Sequence, residues 1–354
     1  NSRYDTINSN IINGEIIIDK GTTNIHPTWL STGEKFLYLS NKDKDYFSQT
    51  DLYIYDFSDS SSKKIVSGVK TRPAVINDSL FIYCKRSEPN FYGSKFYDLY
   101  KYDLINEKEE RLTYDARLSL PVYSKSLNAI AAIGVIDGTS NIYVSSIDNI
   151  NFKKITDYQD GRLITSLSWM NDKLIFNENF GHGSDVGCFN YISKQECILK
   201  EDGYFLNNKS INDLNDIVYD SLNESILFSS NKDNGIYNLY INNKSKSKPI
   251  TCTWGGAFMP TIPINNKILY SFYSDGSYNI ALLDLNEEGA FIPQKKKVDY
   301  KTDFISLSSK NTIYRNKKQY DKSNMSKLFF MPRIFIDNKI FKPGLYFYST
   351  EVLN

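Results

Sequence analysis

Only two imidazoles occur in the 354 residues, at His26 and His182, so acid–base or metal chemistry would have to be built around one of them. His182 lies in Gly181-His182-Gly183-Ser184-Asp185, which crowds an imidazole, a hydroxyl and a carboxylate into five residues. A Ser/His/Asp triad needs its groups to converge from separate elements, and no G-x-S-x-G nucleophile elbow occurs. The stretch reads as a glycine-loosened loop, with His182 as a loop candidate for binding and no residue assigned a catalytic role. Cys84, Cys188, Cys197 and Cys252 show neither a CxxC pair nor zinc-type spacing. Cys188 and Cys197 could face each other across one hairpin and pair, or all four could be buried thiols acting as small apolar groups. Asn41-Lys42-Asp43-Lys44-Asp45 alternates oxygens but lacks the glycine and closing glutamate of a calcium loop, so it reads as a surface turn. No phosphate-binding glycine pattern is present. The expectation is a chain with no metal and no cofactor.

Charge narrows the partners. The balance is 42 basic against 41 acidic residues, a net +1, which gives no electrostatic reason to bind nucleic acid or an anionic membrane. Lys295-Lys296-Lys297 is the one basic run and reads as a solvated loop. No apolar run reaches the length of a membrane helix, so membrane insertion by this chain itself is not expected. Aromatics interleave with lysine in Phe91–Tyr102 (FYGSKFYDLYKY), but strand alternation accounts for that without a stacked ligand.

The elements that would position these groups recur. Ile226–Ile241 (ILFSSNKDNGIYNLYI) reads as strand, turn, strand, with Asn234-Gly235 suited to positive φ. Aligned strand starts fall at Pro27, Pro73, Pro121, Leu167, Ile217 and Pro260, at intervals of 43 to 50 residues. Second strands follow at Lys35–Ser40, Ser79–Cys84, Ala129–Gly134, Lys173–Asn177, Ser225–Ser230 and Lys267–Phe272. The third strands all begin with Asp or Asn: Asp51, Asp98, Asn141, Asp185, Asn238 and Asn279. A short polar side chain there suits bonding to the backbone of the preceding turn. Outer strands are expected at Lys64–Val66, Glu110–Thr113, Lys154–Thr156, Cys197–Leu199 and Pro249–Thr251. Four strands per unit of this length is the size of a propeller blade. The sixth unit lacks an outer strand, and Gly14–Asp19 (GEIIID) is placed to supply it and close the ring.

Units such as LTYDARLSLPVYSKSLNAIAAIGVIDGTSNIYVSSID resemble the TolB-type, WD-like Tol repeat, which runs from "LT" through a proline-led aromatic strand to "D/N-I/L-Y". The resemblance covers about residues 14–284 and implies an all-β, six-bladed propeller. The domain expected is residues 14–288, followed by an extended, non-repeating tail over residues 289–354. In that tail, Pro332 and Asp337, Lys342 to Phe347 and Val352-Leu353 are similar to the junction where such propellers precede a BamA-like surface-antigen barrel of the outer membrane. This implies a periplasmic, cell-envelope location. It also implies a non-enzymatic scaffold for a protein or peptide partner. The resemblance extends to the propellers of polysaccharide lyases and prolyl oligopeptidases, which keeps an enzyme-type reading as the alternative.

A propeller brings the residues just before each repeat start to one level of a central channel. These are His26, Arg72, Leu120, Ser166, Asp216 and Met259. His26, Arg72, Ser166 and Asp216 are the candidate partner-binding residues of that rim.

Overall fold

A computed structural model describes residues 13–180, 183–204, 206, 214–233, 235–244, 246–286, 329–337 and 340–348. The His182 loop, Asn234, Lys295–Lys297 and Asn311–Asn324 fall outside the described residues in whole or in part. The described chain divides into two units, one holding the six-bladed propeller and the other the C-terminal hairpin.

Each blade is a four-stranded antiparallel sheet. Blade 1 comprises Asn24–Trp29, Lys35–Ser40, Asp51–Asp56 and Ser61–Ser67. Blade 2 comprises Ala74–Val75, Leu80–Arg86, Tyr97–Asp103 and Lys108–Arg111. Blade 3 comprises Leu118–Ser124, Ala129–Ile136, Thr139–Ser146 and Lys153–Lys154. Blade 4 comprises Leu163–Met170, Lys173–Phe180, Gly183–Asn190 and Gln195–Glu196. Blade 5 comprises Leu214–Asp220, Ser225–Ser230, Asn238–Asn242 and Ser247–Pro249. Blade 6 supplies Ala257–Phe258, Lys267–Ser274 and Ser277–Asp284, and its outer strand is the N-terminal Glu15–Ile18, paired antiparallel with Glu15 opposite Leu282.

The core is divided rather than central. Buried apolar side chains form six clusters among the described residues, each joining two neighbouring blades. Leu37 and Leu39 of blade 1 meet Phe81 and Tyr83 of blade 2, for example. Leu269 and Ile280 of blade 6 meet Phe36 and Tyr38 of blade 1. A strand in the middle of a blade is therefore covered on both faces, which is why second strands such as Phe36-Leu37-Tyr38-Leu39 are continuously apolar instead of alternating. In blade 4, Gly187 stands opposite Phe176. A Cβ at Gly187 would come 2.1 Å from the Phe176 ring, so glycine there is what lets the ring lie flat across the strand.

Asn238 makes the turn contact expected of the third-strand Asp and Asn residues, its Nδ2 donating to the Ile236 carbonyl at 3.2 Å, but Asp98, Asn141 and Asn238 also bond forward, past the outer strand. Asp98 is buried and accepts from the Thr113 hydroxyl at 2.9 Å and from the Asp115 and Ala116 N–H groups at 3.1 and 3.0 Å. Asn141 accepts from the Thr156 hydroxyl at 3.0 Å and the Tyr158 N–H at 2.7 Å. Asn238 accepts from the Thr251 hydroxyl at 3.2 Å and the Thr253 N–H at 2.8 Å. Each of these threonines also accepts the N–H of the residue after the Asp or Asn, at Leu99, Ile142 and Leu239. The "LT/IT" of the repeat is thus a clasp that holds the chain as it leaves the outer strand. That is why the outer strands of blades 2, 3 and 5 end at or before the residue preceding the threonine, earlier than their sequences suggest. In blade 4 the segment after Glu196 turns into a short 3-10 helix, Leu199–Asp202.

Cys188 and Cys197 form a disulfide, while Cys84 and Cys252 are buried free thiols. Burial pushes the Cys84 thiol up to about 12. The C-terminal unit is a hairpin of Phe329–Asp337 and Ile340–Tyr348. Its register puts Phe330, Pro332, Ile334 and Ile336 on one face with Phe347, Leu345, Pro343 and Phe341. The other face is mixed, and Arg333 packs over the Phe335 and Tyr346 rings there.

Candidate functional site

The innermost strands do not run straight past the channel. Blades 1, 3 and 5 break register between Ile25 and Thr28, Ser119 and Val122, and Asn215 and Val218. At the break sit His26 (φ 55°), Leu120 (φ 49°) and Asp216 (φ 55°), and blade 6 places Met259 (φ 55°) at the same repeat position. A left-handed backbone is unfavourable for any of these residue types, by about 1–3 kcal/mol each. A bulge is the usual device for redirecting a side chain that would otherwise alternate into the sheet faces. Four of the six rim positions therefore share one strained geometry that places them at the channel.

The sequence-derived rim residues do come together, and the structure separates their roles. His26, Arg72, Leu120, Ser166 and Asp216 line one small cavity of about 30 Å³, the scale of about one or two waters. Ser166 is committed to holding blades together. Its hydroxyl donates to Asn177 Oδ1 and accepts the Ile217 N–H of blade 5 at 3.2 Å. Asp216 does the same one blade on: its Oδ2 accepts the Met259 N–H of blade 6 at 3.0 Å and the Ser229 hydroxyl at 3.2 Å. Similar ties cross the other seams, including Trp169 Nε1 to the Val122 carbonyl at 3.2 Å and Asn24 Nδ2 to the Tyr278 carbonyl at 3.0 Å.

His26 and Arg72 are left over. His26 Nδ1 and Arg72 Nε are buried without a hydrogen-bond partner, an uncommon and costly state for polar atoms. His26, Arg72 and Asp216 are partly exposed, and all three line this cavity. Burial, with the Arg72 charge adding to it, holds the His26 imidazole neutral and lowers its pKa to about 3. Burial raises the Asp216 carboxyl, opposed by Arg72 and by the two hydrogen bonds just named. Burial lowers the Arg72 guanidinium as well, against the Asp216 charge, and it stays a cation because an arginine begins so far above neutrality. No direct ion pair joins Arg72 to Asp216 among the described contacts.

Beyond this polar level the channel opens into a cavity of about 330 Å³ in which Arg72 is the one charged lining residue among the described residues. Trp29, Val75, Tyr123, Trp169, Ile262 and Ile264 supply much of its apolar wall. Sequence reasoning passed over these residues. Trp29, Val75, Tyr123, Trp169 and Ile262 all stand three positions after a rim residue, so the same repeat alignment that found the rim would have found the mouth. A second cavity of about 850 Å³ lies on the seam between blades 6 and 1, lined by Glu34, Lys35, Asp56 and Phe57 among others. Its Lys35 is already paired with Asp56 at 2.7 Å. Phe91 and Tyr92 are exposed and stacked edge-on on each other, whereas Tyr100, later in the same aromatic stretch, is buried in its blade. Among the described residues no three His, Cys, Asp or Glu side chains gather in a metal-binding group.

No protein-family model matches the chain, and no curated protein matches its sequence. Among solved structures it is similar to a gluconolactonase from Xanthomonas campestris, at 9% identity over 78% of this chain and 92% of that one, with a TM-score of 0.52. It is also similar to the acylaminoacyl peptidase of Pyrococcus horikoshii, at 11% identity and a TM-score of 0.50 over 93% of this chain and 50% of that one. TolB from Acinetobacter baumannii aligns at 13% identity and a TM-score of 0.49, over 70% of this chain and 66% of that one. The chain thus spans half the length of the peptidase and just under two thirds of TolB. At these identities the likeness is one of fold alone, and the fold is that of a six-bladed β-propeller.

Proposed function

We propose that the protein is a non-enzymatic binding scaffold of the bacterial cell envelope, and that the apolar mouth of its channel receives a segment of a partner polypeptide. The observation that carries this reading is the 330 Å³ mouth, walled by two tryptophans and a tyrosine, above a rim where the Arg72 Nε has no hydrogen-bond partner among the described residues. Aromatic and apolar walls with a few convergent polar groups suit side-chain capture. The same rim is poorly arranged for covalent chemistry. The Ser166 hydroxyl is engaged by Asn177 and the Ile217 N–H, so no imidazole activates it.

The compartment rests on two further features. A disulfide between Cys188 and Cys197 suits an oxidising environment such as the periplasm. The C-terminal hairpin has strands of nine residues with one wholly apolar face, in keeping with about 9–11 residues for a strand that crosses an outer membrane. This supports the propeller being the periplasmic part of a larger barrel protein, with the hairpin where the barrel begins.

The test is photo-crosslinking in living cells, with a benzophenone amino acid placed at Tyr123 in the mouth or at exposed Lys153 on the outer strand of blade 3. Discrete polypeptide adducts at Tyr123 and none at Lys153 are expected. Equal labelling at the two positions, or no adduct at Tyr123, overturns the reading.

A further inference from the structure

The Arg72 guanidinium is an anomaly of the channel. It is enclosed by protein, and its Nε has no partner. Its one oppositely charged neighbour, Asp216, has Oδ2 committed to Met259 and Ser229. A buried arginine is ordinarily matched by a carboxylate in direct contact, and none is in contact with Arg72 among the described residues. Arg72 also lines both cavities, so it stands where the polar rim meets the apolar mouth.

We propose that Arg72 anchors a free carboxylate, carried on an apolar group that fills the mouth between Trp29, Tyr123 and Trp169. The planar guanidinium fork matches a carboxylate in two parallel hydrogen bonds. His26 stands beside it with Nδ1 unpartnered and contributes a polar atom without a second positive charge. One guanidinium, with Asp216 behind it, suits a monoanion and disfavours a phosphate, whose second charge would meet no cation. The mouth is near the lower end of ligand-cavity sizes, with room for about one or two amino-acid residues. A peptide C-terminus with an apolar last residue has this chemistry, and so does an acidic side chain next to an apolar one. The inference rests on the scaffold reading above and specifies what that scaffold grips.

The experiment is calorimetric titration of the full chain with three blocked dipeptides: acetyl-Ala-Trp as the free acid, its C-terminal amide, and acetyl-Trp-Asp-amide. A charge-assisted bond in this setting predicts that the free acid binds about tenfold or more tighter than its amide. That ratio should collapse to about one in Arg72→Gln and shrink in Arg72→Lys, which keeps the charge but not the fork. Thermal unfolding of each variant checks the fold, and the lysine variant carries the comparison if the glutamine variant does not fold. Tighter binding of acetyl-Trp-Asp-amide than of the free acid upholds the anchor and assigns its carboxylate to an acidic side chain. The anchor is overturned when neither acetyl-Ala-Trp acid nor acetyl-Trp-Asp-amide binds tighter than the acetyl-Ala-Trp amide, by a preference that survives in Arg72→Gln, or by no binding of either acid at millimolar concentration. Crosslinks at Tyr123 combined with no preference for either acid over the amide would leave the scaffold standing without the anchor. The reverse pattern would leave the anchor without a polypeptide partner.

Discussion

His26 makes the channel measurable by pH. In an unfolded chain its imidazole titrates near its ordinary value of 6.5, whereas in the channel burial and Arg72 hold it to about 3. Between those values the unfolded chain binds a proton that the folded chain refuses, so stability falls as pH drops below about 6.5. At about 1.36 kcal/mol per pH unit, the loss from pH 7 to pH 5 comes to about 2 kcal/mol. With a urea slope of about 3 kcal/mol per molar, the midpoint should move down by about 0.6 M. The partner variant is His26→Asn, because asparagine tolerates the left-handed backbone at this position (φ 55°). Asp216 and Glu178, whose carboxyls burial raises, act in the opposite direction, since they favour the folded state as pH falls. The quantity to compare is therefore wild type minus His26→Asn at each pH, in which those groups and His182 cancel. Urea titrations followed by tryptophan fluorescence at pH 7 and pH 5 give it directly. If His26→Asn retains the full wild-type pH slope, the imidazole is not held neutral and the rim does not enclose it.

Three other perturbations test the frame around the channel. Asp98→Ala leaves Arg111, which contacts it at 2.6 Å, without its buried partner and opens the Thr113 clasp. It should cost about 3–5 kcal/mol, whereas Asp98→Asn, which reproduces the clasps of blades 3 and 5, should cost about 1–2 kcal/mol; equal losses by thermal unfolding would refute the clasp. Reducing Cys188–Cys197, or replacing both with serine, removes a cross-link that spans nine residues and should lower stability by about 2–3 kcal/mol; thiol titration of the denatured, unreduced protein should count only Cys84 and Cys252. Removing residues 1–19 takes away the outer strand of blade 6 and bares the edge of Ser277–Asp284, so size-exclusion chromatography should show self-association, and an unchanged monomer with unchanged melting would show that this strand does not close the ring.

Much of the frame was legible because the propeller repeats its physics. A buried second strand must be apolar on both faces, so Lys35–Ser40 and Ser225–Ser230 read from sequence with the bounds the structure gives them. The outer strand of blade 1, Ser61–Ser67, contains the expected Lys64–Val66, but those of blades 2, 3 and 5 end earlier than expected for an equally physical reason. Their threonines look like strand residues, but Thr113, Thr156 and Thr251 bond sideways to Asp98, Asn141 and Asn238. A sequence shows residue type and not bonding direction, so the ladder and the clasp merge. Blade 4's third strand read from Asp185 and the structure runs it over Gly183–Asn190, although Gly187 replaces the usual large residue there, an exchange that the Phe176 ring lying across it explains.

The rim shows where alignment stops being informative. Position alone grouped His26, Arg72, Ser166 and Asp216, and the structure does bring them to one level. What separates them is whether a neighbouring blade has already claimed the side chain. Ser166 and Asp216 face backbone N–H groups across a seam and are consumed in closing the ring. Arg72 and His26 face no such group, because Arg72 offers only donors and a buried imidazole offers one acceptor nitrogen at most. A ring built from side-chain acceptors and backbone N–H groups leaves a cation at the same level without work inside the protein. The residue that breaks the repeat's bonding pattern, more than the residue that breaks its sequence pattern, is therefore the one to associate with a ligand, and in this channel that residue is Arg72.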